Sequence, residues 1–173
     1  MKEFEKRLTG GHPNSLGNTI EIVEEVLAEP GLFDALFHSY FSDDEVVRLR
    51  VSSAMKRICK ENRGLLIPYI DRFLGEIAMI DQPSTHWTMA QLFAMLDRDM
   101  SGDQFVRAKN IVRHYLEQDT DWIVLNTAME SLFNWSKKDI ELRGWLTPHL
   151  HRLSEDKRNS VSKRAKKYLS QMA

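Results

Sequence analysis

The chain has 173 residues, 24 of them Lys or Arg and 25 Asp or Glu, for a net charge of −1. With 42% apolar and 28% charged residues it is composed like a folded globular protein, which excludes a wholly disordered chain, and its charge excludes a global field that recruits nucleic acid or anionic membrane. A chain of this length buries roughly 70% of its unfolded surface and needs no staple; its one cysteine, Cys59, excludes an internal disulfide.

Taken from the N-terminus, Met1 to Arg7 lacks the apolar segment of a signal peptide, and Gly10-Gly11 lies in what reads as a flexible tail over residues 1–13. Residues 14–31 read as a half unit, a capping helix with Ile20, Val23 and Leu27 as its apolar face. Ser42-Asp43-Asp44-Glu45 and Ser101-Gly102-Asp103-Gln104 fit the capping-box pattern and predict helix starts. Pro30-Gly31, Asn62-Arg63-Gly64, Gln82-Pro83-Ser84 and Ser101-Gly102 punctuate the apolar stripes. Gly64 to Ile70, the longest near-continuous apolar stretch, is too short to span a bilayer, so the expectation is a cytoplasmic protein. Strict alternation is nowhere sustained, and the reading is all-α, with about eight helices of roughly ten to eighteen residues.

A period then emerges. The stripe Val47, Val51, Ala54, Met55, Ile58 recurs as Thr85, Met89, Leu92, Phe93, Leu96, then as Val124, Ala128, Ser131, Leu132, Trp135, and last as Val161, Ala165, Tyr168, Leu169, Met172. Its second member falls at 51, 89, 128 and 165, so the spacings are 38, 39 and 37. Leu66-Ile67-Pro68-Tyr69 parallels Leu146-Thr147-Pro148-His149 two periods later. A helix pair of this size cannot bury its apolar face alone, and stacking supplies the missing surface.

On these residues the chain resembles the HEAT repeat, an armadillo-type α-solenoid built from antiparallel helix pairs. Asp44-Glu45-Val46-Val47-Arg48 with Ala54-Met55 matches the start of the family's second helix, and Pro68 and Pro148 stand where its first helix carries a proline. The resemblance implies a right-handed α-α superhelix of about four pairs, over residues 32–62, 64–100, 102–138 and 140–173. Thr85-His86 and Val124-Leu125 depart from the Val-Arg pattern, so a ladder of charged residues along the turns is expected to be broken.

No chemistry-bearing constellation is visible. The histidines, His12, His38, His86, His114, His149 and His151, include no pair at metal-ligand spacing; His149 and His151 are about 200° apart on a helix. Cys59 stands between Arg57 and Lys60, whose charges would lower its pKa, but as a thiol late in an apolar stripe it reads as structural. Nucleophile-elbow, P-loop and dinucleotide motifs are absent. The expectation is therefore a non-enzymatic protein with no cofactor and no metal.

At 100° per residue, the side opposite the Val47 stripe is Leu49, Ser53 and Lys56. The repeat spacing carries this side to Trp87, Gln91 and Ala94, then Asn126, Glu130 and Phe133, then Lys163, Lys167 and Ser170. The resemblance implies that second helices line a concave surface, which would expose Trp87 and Phe133 to a partner; a slip of helical phase would turn either ring into the core. Trp135 and Trp145 read as packing. Residues 152–173 carry seven cations and two carboxylates, leaving −6 on the rest, and read as the polar cap of a solenoid or as an anion-binding end. The functional expectation is a protein- or peptide-binding scaffold. The alternative is a nucleic-acid-binding protein resembling the HEAT-like DNA-alkylation-repair glycosylases, with Trp87, Phe133 and Glu130 around a lesion. The latter wants a fuller cationic stripe than Lys56, Lys163 and Lys167 provide.

Overall fold

A computed structural model describes residues 3–173. Its elements are α1 (Glu3–Leu8), α2 (Thr19–Ala28), α3 (Phe33–His38), α4 (Glu45–Glu61), α5 (Ile70–Gly75), α6 (Pro83–Leu96), α7 (Gly102–Gln118), α8 (Trp122–Ser136), α9 (Ile140–Ser154) and α10 (Asn159–Met172), with short 3₁₀ turns between several of them and no strand among the described residues. The protein is all-α. Three helices have only six residues, shorter than the stripes predict. The reason is local. Pro68 lies in a 3₁₀ turn, Ile67–Tyr69, ahead of α5, because the residue before a proline is disfavoured in the α region. Pro148, by contrast, sits inside α9. The two prolines that align in sequence thus occupy different structures.

Helix starts follow the cap chemistry. Ser101 and Gln104 make both bonds of a capping box, with Gln104 N–H donating to Ser101 Oγ at 3.2 Å and Ser101 N–H to Gln104 Oε1 at 2.9 Å. At α4 the cap is Asp44, not Ser42: Asp44 Oδ1 accepts from Val46 N–H at 2.8 Å, while Ser42 Oγ accepts from Asp44 N–H two residues earlier. Asp121 and Asp139 cap α8 and α9 in the same way.

Each even-numbered helix packs on the next, so α2, α4, α6, α8 and α10 form one row. A second row lies behind it. There α3 meets α5 through Phe37 and Phe73, whose rings are 5.3 Å apart, α5 packs on α7, and α9 packs on α8 and α10. The recurring stripes do what their spacing predicts. Val47, Val51, Ala54, Met55 and Ile58 are fully buried, as are Met89, Leu92 and Phe93, and Val124, Ala128 and Leu132. One continuous apolar core results, from Phe4 to Tyr168.

The N-terminus departs from expectation. Met1 and Lys2 lie outside the described residues, but the remainder of the expected tail is ordered: Phe4 and Leu8 are buried in the core. The loop after α1 is held by Arg50 of α4, itself only 2% exposed. Its guanidinium donates to the carbonyls of Leu8 and Gly10 (both 2.6 Å), Ser15 (3.2 Å) and His12 (3.3 Å). A buried cation needs its donors satisfied, and a loop of polar, glycine-rich residues supplies carbonyls instead of carboxylates.

The ladder along the turns is not broken at its second rung. Arg48 Nε donates to Gln82 Oε1 at 2.6 Å, and His86, one period later, pairs with Asp119 at 2.7 Å. A residue of different chemistry fills the same place.

Candidate functional site

The row of even-numbered helices is curved: α2 and α8 are not packed neighbours, yet both line one groove of about 770 Å³ with α4 and α6 between them. Each helix contributes a stripe at three- and four-residue spacing, which places one face of each toward the same space. From α4 come Ser53, Lys56, Arg57 and Lys60; from α6, Gln91, Ala94 and Met95; from α8, Thr127, Glu130, Ser131 and Asn134. The α2 wall is Ile20, Val23, Glu24 and Leu27.

Of the residues predicted to share this face, Ser53, Lys56, Gln91 and Glu130 do line it, and so does Ala94. Leu49 and Trp87 are half-buried and lie outside it, with Trp87 packed against the core. Lys163 and Lys167 are exposed on α10, beyond the groove. Two assignments are corrected. Phe133 is 6% exposed and stacks on Tyr168, with centroids 4.2 Å apart and planes 11° apart. Asn126 is buried and donates through Nδ2 to Ser160 Oγ at 3.4 Å. On α8 the groove stripe runs through 127, 130, 131 and 134, one residue later than the transferred pattern. One residue is 100° of rotation, enough to carry Phe133 from the groove into the contact with α10. The cause is that α8 is enclosed by α6, α7, α9 and α10 and is buried without a break from Val124 to Met129, so it has no single apolar face by which to read its phase.

The α2 wall was missed as part of the groove. Ile20, read as part of an apolar core face, is 47% exposed, and the core contact of α2 is made by Ile22, Val23 and Val26. The signal was available: α2 carries two apolar stripes, and a terminal helix needs only one for its core.

Electrostatics differ along the groove. Burial, and next the like charges of Lys60 and Arg57, push the Lys56 ammonium below its ordinary pKa. Glu130 is held by Arg164 at 3.2 Å. Cys59, on the same helix but turned into the core, is not activated by its cationic neighbours: burial pushes its thiol from 9.0 up to about 11.

A second hollow of about 790 Å³ lies between the start of α6 and the end of α7. Here His86 Nδ1 lies 2.7 Å from Asp119 Oδ2, and the ring stacks on Tyr115 at 4.4 Å. Tyr115 in turn donates its hydroxyl to the Ala78 carbonyl at 2.8 Å. The carboxylate fixes the ring's orientation, and His86 joins helix to turn in a place where the hollow brings no nucleophilic thiol. Trp135 and Trp145 both pack as read: Trp135 is buried with its Nε1–H donating to Asp97 at 3.2 Å, and Trp145 is half-buried against the core beneath the Arg113 guanidinium. No group of three or more His, Cys, Asp or Glu side chains among the described residues is placed to hold a metal, and no described helix is long and apolar enough to cross a membrane. A search of protein families, characterised proteins and solved structures finds no match to this chain.

Proposed function

We propose that the chain is a short HEAT-like solenoid that acts as a non-enzymatic scaffold, holding a protein or peptide segment in the groove of α2, α4, α6 and α8. The observation that carries this reading is the groove itself: four helices turn equivalent stripes to one concavity of about 770 Å³, mixing apolar side chains with amides, hydroxyls and charges. That mixture suits an extended or helical peptide, which presents both kinds of group along its length. The stacked repeats explain why such a surface can be rigid without a bound partner, since each helix is held by the core behind it.

The nucleic-acid alternative has one observation in its favour, the exposed Lys163 and Lys167 on α10. Of the two rings it would set at a lesion, Phe133 is occupied by Tyr168 and Trp87 packs against the core outside the groove, and its acid, Glu130, is paired with Arg164. The test of the scaffold reading is selection of binding peptides from a random display library, followed by competition. Gln91→Trp, which fills the groove floor, should abolish binding of the selected peptides, and Ile140→Ser on the outer surface should leave it intact. Binding that survives Gln91→Trp would move the site elsewhere.

A further inference from the structure

Lys56, Arg57 and Lys60 line the groove on successive turns of α4, and none of them makes an ion pair or a side-chain hydrogen bond among the described residues. Other unpaired cations, Lys163 and Lys167 among them, stand on the outer surface, and these three are the cations that line the groove. Arg7 is bound to Glu25, Arg72 to Glu76, Lys109 to Asp139 and Arg158 to Asp156, while Arg50 spends its donors on four carbonyls. Like charges on adjacent turns repel, and Lys56 bears that repulsion while half-buried, where solvent screens it least. A row of unpaired cations set in a concavity is an electrostatic demand that the chain itself leaves unmet.

Resting on the scaffold reading, we infer that the occupant is an acidic amphipathic peptide segment, its carboxylates on Lys56, Arg57 and Lys60 and its apolar side chains against Ile20, Leu27 and Met95. Ile20 is 47% exposed and forms, with Leu27 of the next turns, an apolar strip beside the cations. The other charged groups around Lys56 decide between anions. Glu24 from α2, Glu61 from α4 and Glu130 from α8 also line the groove, and α6 contributes no charge to it. A nucleic-acid backbone carries phosphate at every step and would meet these carboxylates; a peptide places its acids only where cations wait. Burial, and next the like charges of Lys60 and Arg57, lower the Lys56 pKa, and a bound carboxylate opposes both, so binding weakens as pH rises through that depressed pKa.

The test uses the full chain and synthetic fluorescent peptides of about fifteen residues with leucines on one helical face. One series carries glutamates on the other face, a second lysines, a third glutamines; a single-stranded and a duplex oligonucleotide complete the set. The glutamate peptide should bind at least about tenfold more tightly than the others, and Lys56→Glu with Lys60→Glu should weaken it at least about tenfold without lowering the thermal midpoint. If the double variant unfolds, Lys60→Gln, at an exposed position, gives the same reading, a loss confined to the glutamate peptide. Tighter binding of the lysine peptide or of either oligonucleotide, equal binding of all peptides, or no binding by any probe overturns the acidic-partner inference. The groove reading fails separately, if the glutamate peptide binds and Gln91→Trp does not displace it.

Discussion

His86 Nδ1 lies 2.7 Å from Asp119 Oδ2, in the place where Arg48 meets Gln82 one period earlier. Both partners are largely buried, their side chains 14% and 15% exposed. Each contact ties the first turn of an even-numbered helix to the turn leading into the next, so the link survives a change from guanidinium to imidazole. His86→Ala should leave the Asp119 carboxylate partly buried without this partner and cost about 1–2 kcal/mol in urea denaturation. A change below about 0.5 kcal/mol would show that the contact contributes nothing to the stack.

Arg50 organises residues 8–17. Arg50→Met removes four charge-assisted bonds to carbonyls, and the exposed ones can turn to water while that of buried Leu8 cannot. The expected loss is about 2–4 kcal/mol, with protease cleavage appearing first between Gly10 and Gly17. Gly17 tests the same clamp from the other side. Its φ is +53° and an added Cβ would lie 3.1 Å from Arg50 Cζ, so Gly17→Ala should cost about 1–2 kcal/mol and open the same segment.

Phe133 joins α8 to α10 through Tyr168. Phe133→Ala empties a closed site and should destabilise by about 3 kcal/mol or more, and the fluorescence of the chain should report loosening of α10. A loss within about 0.5 kcal/mol would return the ring to the surface.

Cys59 provides a pH test. The unfolded thiol loses its proton near 9.0 and the buried one only at about 11, so the folded state holds the proton longer. The associated stability is intact below pH 9 and is lost as pH rises from there to about 11. Cys59→Ala should remove this part of the alkaline decline. In the intact chain, alkylation at pH 8 should be slow and should accelerate on adding urea; rapid labelling of the native protein would contradict the burial.

Much of this architecture is legible in the chain. The period near 38 residues places the buried stripes of α4, α6 and α8, and Val161, Ala165 and Tyr168 of α10, because a 3.6-residue helix must turn its apolar positions to one side. Ser53, Lys56, Gln91 and Glu130 fall out of the same rotation, since polar residues opposite a core stripe have only solvent or a groove to face. The remainder depended on neighbours. Phe133 goes inward because α10 arrives beside α8, Ile20 stays outward because α4 covers a different side of α2, and the glycine-rich start is ordered because a cation 35 to 42 residues away needs its carbonyls. Helical periodicity is local and can be read from one segment. Which faces are covered, and which charges go unpaired, is settled only when distant segments meet.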